Sequence, residues 1–191
     1  MNIKYKLKFF FFVTLRILKY VLLSDCKRVT GKPNLYVPLL LNGKGKIQFG
    51  TNVQIGVIAS ANFYSHYTYL EARNLESEIF IGDNVSINNA FSAVAFSKIT
   101  IQNNVLIGNN CSIIDNDGHN LNRDKRTCVD VQTGAIYIAN NVFLGDNVTI
   151  LKGVTIGENS IIGNGSIVTK SIPENVIAAG NPAKVIRNLN V

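Results

Sequence analysis

Charge is scarce in this chain. Asp, Glu, Lys and Arg make up 16% of its 191 residues, against 47% hydrophobic residues. That balance excludes an intrinsically disordered chain and supplies enough apolar material for a sizeable core. Histidine occurs twice, as His66 and His119, beside three cysteines, one methionine and no tryptophan. The cysteines, Cys26, Cys111 and Cys128, are scattered and odd in number. They exclude a disulfide framework and point to free thiols in a reducing, cytoplasmic compartment. Two histidines without a cysteine pair exclude a zinc centre built within one chain. The length suits one domain with an appendage.

The charge that is present lies unevenly. The net charge is +7, from 19 basic and 12 acidic residues. Residues 1–32 hold Lys4, Lys6, Lys8, Arg16, Lys19, Lys27, Arg28 and Lys32 against Asp25 alone, so the remainder is neutral, with eleven residues of each sign. Within this N-terminal segment, "KYKLKFFFFVTLRILKYVLL" is strongly apolar, but Arg16 and Lys19 keep it short of the roughly 20 uncharged residues that span a bilayer. It also lacks the small-residue cleavage pattern of a secretory signal. On a helical wheel Lys4, Lys8, Arg16 and Lys19 share one third of the circle, with Phe10, Val13, Ile17, Tyr20 and Val21 opposite. That suits a helix lying in the membrane interface through residues 1–24, basic groups toward anionic headgroups. A helix packed on the protein, or in an oligomer contact, is the alternative.

From Ile138 the chain falls into sixes: IANNVF, LGDNVT, ILKGVT, IGENSI, IGNGSI, VTKSIP. The same frame appears as FGTNVQ from Phe49, IGDNVS from Ile81, and IQNNVL followed by IGNNCS from Ile101. Position one is aliphatic, and position five is small or β-branched. These two are two residues apart across the repeat boundary, so on a strand they share a face. That places Val85/Ile87, Val105/Ile107, Cys111/Ile113, Val142/Leu144, Val148/Ile150, Val154/Ile156, Ser160/Ile162 and Ser166/Val168 in one core. The intervening Asn, Asp and Gly make turns, because they tolerate a left-handed backbone. A strand and a turn every six residues form one side of a prism, and three sides make an 18-residue coil of a parallel β-solenoid. An alternating β-sandwich does not account for the strict spacing.

These hexads, with "LGDNVTILKGVTIGENSIIGNGSIVTKSIPENVIAAGNPAKVIRNL" and its ending "GNPAKVIR", resemble the hexapeptide-repeat acyltransferases. The resemblance extends over about residues 46–187 and is nearest to the bacterial sugar O-acetyltransferases of maltose, galactoside, nodulation and capsule or lipopolysaccharide type. It implies an all-β, left-handed parallel β-helix over residues 46–191 and a homotrimer; the helical segment 1–32, read from its own pattern, precedes the β-helix. It also implies acetyl-CoA as co-substrate, a sugar or glycan acceptor, and no metal.

The repeat breaks at "IIDNDGHNLNRDKRT", Ile113 to Thr127, and a loop of about residues 115–134 is expected to project there. Acyl transfer from a thioester to a hydroxyl needs a base for the hydroxyl proton, and histidine suits that role near pH 7. The family's general base lies on this loop, and His119 stands at the matching place. Asp117, Asp115 or a backbone carbonyl would hold its other ring nitrogen, with Asp117 favoured. His66 lies where the hexad frame is degenerate and reads as a surface or subunit-contact residue. The resemblance further implies acetyl-CoA contacts from Asn88, Asp146, Asn164, Thr169, Lys170, Lys184 and Arg187. Of these, Lys184 and Arg187 suit CoA phosphates.

Two departures bear on the acceptor. The acidic residue that meets the acceptor in maltose and galactoside enzymes is replaced by Phe96 and Ser97, and their acceptor-binding helix by the basic, Phe-rich segment. The acceptor implied is a hydroxyl of a cell-surface glycan precursor at the cytoplasmic side of a membrane, not a free galactoside. N-acetylation of an amino sugar or an inactive trimeric scaffold would use the same fold. A γ-type carbonic anhydrase would need three histidine zinc ligands drawn from two subunits, against only His66 and His119 in each chain, with His119 on the acyltransferase loop.

Overall fold

The computed structural model describes residues 3–128 and 130–189; Met1, Asn2, Val129, Asn190 and Val191 lie outside the described residues. The body is a left-handed parallel β-helix of triangular section. Its first face stacks Arg28–Thr30, Lys46–Phe49, Glu78–Ile81, Lys98–Ile101, Ile136–Ile138 and Thr155–Ile156. The second stacks Asn34–Leu35, Gln54–Ile55, Ser86–Ile87, Leu106–Ile107, Phe143–Leu144, Ile161–Ile162 and Val176–Gly180, and Ala183–Asn188 closes it antiparallel. The third stacks Leu39–Asn42, Thr68–Ala72, Ser92–Ala95, Ser112–Ile114, Thr149–Leu151 and Ile167–Val168.

The physical basis is the alternation expected of the hexads. Every residue assigned to the core from positions five and one is buried, none more than 3% exposed. The polar members Ser160 and Ser166 are satisfied inside by the carbonyl oxygens of Pro173 and Gly163, at 2.7 and 2.6 Å. At the corners, Asn52, Asn84, Asn104, Asn110, Asn141, Asn147, Asn159 and Asn175 all have φ between 54° and 61°. These asparagines also stack from coil to coil: Asn141 Nδ2 donates to Asn159 Oδ1 at 2.9 Å, and Asn159 Nδ2 to Asn175 Oδ1 at 2.8 Å.

The solenoid begins one coil before Lys46, because Arg28–Thr30 pairs in parallel with Lys46–Gln48. The two regular coils after residue 135 repeat at 18 positions, as at Asn141–Asn159. Two long insertions break this, beside the smaller departures to 20 positions at Asn84–Asn104 and 16 at Asn159–Asn175. One makes Asn52 and Asn84 neighbours 32 positions apart, and the other places Asn110 beside Asn147, 37 positions on. The first is the 56–67 loop. Buried Asn89 pins it, its Oδ1 accepting from the Val57 amide (3.0 Å) and its Nδ2 donating to the Val57 and Ala61 carbonyl oxygens (3.0 and 2.7 Å). The second is the histidine loop.

The N-terminal helix runs as Ile3–Phe9, a π-helical turn Phe10–Thr14, and Leu15–Leu23. It packs on the body. Val13 is fully buried, with Phe9 and Ile17 against the same core. Arg16 donates to the carbonyl oxygens of Phe63 and His66 at 3.3 and 2.7 Å. Tyr20 lies on Tyr67 with ring centroids 4.5 Å apart, and Lys8 Nζ sits 4.5 Å over the Tyr64 ring. The apolar set read from the wheel is therefore split: Val13, Ile17 and Tyr20 face the protein, whereas Phe10 and Val21 are 48% and 57% exposed. Arg16, grouped with the basic face, is turned onto the 56–67 loop instead. At 100° per residue Arg16 lies beside Tyr20, so Phe9, Val13, Arg16, Ile17 and Tyr20 form one arc toward the body, and Phe10 and Val21 fall at its outer edge.

Candidate active site

The histidine loop leaves the third face after Ile114 and returns to the first face at Ile136. Its base is tied on both strands: the Gly134 amide donates to the Asp115 carbonyl oxygen at 2.8 Å, and the Asp117 amide to that of Gln132 at 3.2 Å. Asp115 is fully buried, and its two carboxylate oxygens each accept a backbone amide, from Phe96 and Ser97, at 2.7 Å. Asp117 turns away from the loop tip to Lys152, whose Nζ lies 2.6 Å from Asp117 Oδ2. Neither carboxylate is on the imidazole.

The ring instead meets a backbone group. His119 Nδ1 lies 3.0 Å from the Arg126 carbonyl oxygen. A carbonyl only accepts, so Nδ1 carries the hydrogen, and the neutral ring presents the Nε2 lone pair. Of the three partners the sequence allowed, the geometry supplies the backbone carbonyl. The ring is exposed, as is the segment 121–128 beyond it, where Asn120, Asn122 and the short 3₁₀ turn Arg123–Lys125 hold the tip by local hydrogen bonds.

The remaining candidates fall in three places. Asn88, Asp146 and Asn164 stand at the corner between the second and third faces. Asn88 and Asp146 line a groove of about 270 Å³ with Val57, Ser86, Leu106 and Phe143. Asp146 and Asn164 also brace the turns: Asp146 Oδ1 accepts the Asn109 amide at 2.7 Å, and Asn164 Oδ1 the Asp146 amide at 2.9 Å. Thr169 and Lys170 lie exposed after the last third-face strand, at the corner that carries the histidine loop. Lys184 and Arg187 are exposed on the closing antiparallel strand of the second face. One chain thus holds His119 on one edge of the prism and the Asn88–Asp146 groove on another. It does not bring them together.

The residues that sequence reasoning missed adjoin the loop. Glu71 is buried, held by Tyr69 Oη at 2.8 Å and by the Arg73 guanidinium, which lies 4.7 Å over the Phe96 ring. Partial burial and the Glu71 carboxylate push the Tyr69 hydroxyl up to about 12. Lys152 had a signal: it occupies the third place of ILKGVT, where neighbouring hexads carry Asn, Asp or Gly. His66 sits on the 56–67 loop, with Nδ1 2.8 Å from Ser65 Oγ, and is remote in the fold from the histidine loop's corner. Among the described residues, no group of three His, Cys, Asp or Glu side chains is placed to hold a metal.

The stacked prism and its hexads bear out the resemblance to the hexapeptide-repeat transferase family. Residues 135–170 match the bacterial transferase hexapeptide (six repeats). The galactoside O-acetyltransferase of Escherichia coli K12 is 46% identical over 114 residues, covering 60% of this chain and 56% of that protein. The chain spans a little over half the length of the curated relatives it matches. A galactoside acetyltransferase solved in complex with coenzyme A is 32% identical, covering 85% of this chain and 66% of that one, with a TM-score of 0.56. The polySia-specific acetyltransferase NeuO is 26% identical, covering 85% and 82%, with a TM-score of 0.54.

Proposed function

We propose that this protein is an acetyl-CoA-dependent O-acetyltransferase acting on a sugar hydroxyl of a cell-surface glycan precursor at the cytoplasmic side of the membrane. The observation that carries the reading is the His119 ring, fixed through Nδ1 by the Arg126 carbonyl so that Nε2 is the free base. In the forward step the acceptor hydroxyl gives its proton to Nε2 as its oxygen bonds to the acetyl carbonyl carbon. The carbon–sulfur bond then breaks, and the departing thiolate takes the proton back from Nε2 as CoA–SH. The Arg126 carbonyl is the positioning group, in place of Asp117, and it also steadies the imidazolium that forms.

The separation of His119 from the Asn88–Asp146 groove supports a homotrimer, in which the loop of one chain reaches the groove edge of its neighbour. Acetyl-CoA would then run along that groove, with Asn88 near the acetyl group and Lys170, Lys184 and Arg187 available to its phosphates. The acceptor reading draws on the sugar substrates named for the similar galactoside and polySia enzymes, and on Phe96 and Ser97 standing where the resemblance places an acidic acceptor contact in the maltose and galactoside enzymes. The test is thiol release from acetyl-CoA across a panel of sugars, nucleotide sugars and lipid-linked glycans. Release with a hydroxyl acceptor of the last group supports the reading. Release only with amino-sugar amines would replace it with N-acetylation, and none with any acceptor would leave a scaffold.

A further inference from the structure

We infer that the outward side of the N-terminal helix is a docking surface for an anionic lipid bilayer. Ten large apolar residues between Ile3 and Leu23 are at least 40% exposed, among them Ile3 (75%), Phe11 (55%), Leu18 (53%) and Leu22 (85%). At ~100 Å² each, their exposed surface is on the order of 1,000 Å², against the few hundred of the largest patch on an ordinary monomer. Elsewhere the exposed large apolar residues are scattered along the solenoid. A helix whose only task was to pack on the body would turn polar residues outward. This one is apolar on both sides: Val13, Arg16 and Tyr20 fasten the inner side, and that attachment holds the outer side in a fixed orientation.

The charge selects the occupant. Lys4, Lys6, Lys8 and Lys19 are exposed on the same helix, and residues 1–24 contain no acid. A second copy of the chain seated on this side would bring lysines against lysines with no carboxylate to meet them. A bilayer with anionic headgroups meets both features at once, taking the apolar side chains into its acyl boundary and the lysines at its surface. No described helix is long and apolar enough to cross a membrane, so the contact is in the plane of the interface.

The inference is independent of the acetyl-transfer reading, since binding is read without substrate. The full chain is sedimented with vesicles of phosphatidylcholine alone and of phosphatidylcholine with phosphatidylglycerol. It should bind the anionic vesicles, lose binding as salt rises, and bind neutral ones weakly. Leu18→Asp with Leu22→Asp should cut binding about tenfold or more, with circular dichroism and light scattering unchanged. If the aspartates disturb folding, Leu18→Ser with Leu22→Ser makes the same comparison. Equal binding by the folded variant, or no preference for anionic vesicles, overturns the proposal. So does loss of the oligomer in the variant without vesicle binding by the parent, which would assign the surface to a second copy.

Discussion

Replacing Asp115 with Asn should destabilise the protein far more than the same change at Asp117, although both lie within five residues of the histidine. The Asp115 carboxylate is fully buried and gives one oxygen to each of two backbone amides, Phe96 and Ser97, at 2.7 Å. An asparagine keeps one oxygen and turns an NH₂ toward the second amide, leaving a donor unpaired. That costs about 1–3 kcal/mol. For a domain of this size, 1 kcal/mol moves Tm by about 2–4 °C, so the fall should be about 2–12 °C. Asp115→Ala removes both acceptors and should cost about twice as much. Asp117 loses only a partly exposed pairing with Lys152, worth about 1 kcal/mol or less. Thermal unfolding followed by circular dichroism reads all three. Because Asp115 holds the base of the loop and not the ring, Asp115→Asn should also lower kcat through a misplaced His119, with little change in the KM for acetyl-CoA. A Tm unchanged in Asp115→Asn, or lower in Asp117→Asn, would refute this assignment of the two carboxylates.

Lys184→Ala and Arg187→Ala should each raise the KM for acetyl-CoA with a smaller change in kcat, since a remote phosphate contact serves ground and transition states alike. Mixing His119→Ala and Asn88→Ala chains, each inactive alone, should restore about a quarter of the parent's sites if each site spans two subunits of a trimer; no recovery in verified mixed trimers would place the site within one chain. Tyr69 ionises near 10 when unfolded and at about 12 when folded. Its contribution is therefore intact below pH 10 and lost as pH rises toward 12. Tyr69→Phe should flatten that part of the alkaline stability curve relative to the parent. Asn141→Ala, at φ 57° and in a corner ladder, should cost about 1–2 kcal/mol in urea unfolding.

The solenoid was legible because its physics is local. Position five and the next position one point inward together, and an asparagine or glycine must turn each corner, so six letters carry a whole side of the prism. The first coil, Arg28 to Asn42, was not legible, since "RVTGKPNLYVPLLLN" has no asparagine–glycine corner in frame and is recognised only by its pairing with Lys46–Gln48. The histidine loop announced itself by breaking the period, yet its wiring did not. Asp115 and Asp117 look equivalent in the sequence, and what separates them is a pair of amides 18 and 19 positions upstream and a lysine 35 downstream. The helix was legible in its wheel but not in its partner: Phe9, Val13, Arg16, Ile17 and Tyr20 share one arc at 100° per residue, and only the fold shows that this arc, Arg16 included, meets the 56–67 loop and the core.

The most direct measurement compares the parent and His119→Ala in turnover of acetyl-CoA with an accepted glycan acceptor, alongside acetyl-CoA binding by calorimetry. Loss of the general base should lower kcat by about 10²–10⁴ while acetyl-CoA binding stays within a few-fold of the parent. Turnover near the parent's in a folded His119→Ala protein would contradict the account, and the proton acceptor would have to be sought elsewhere.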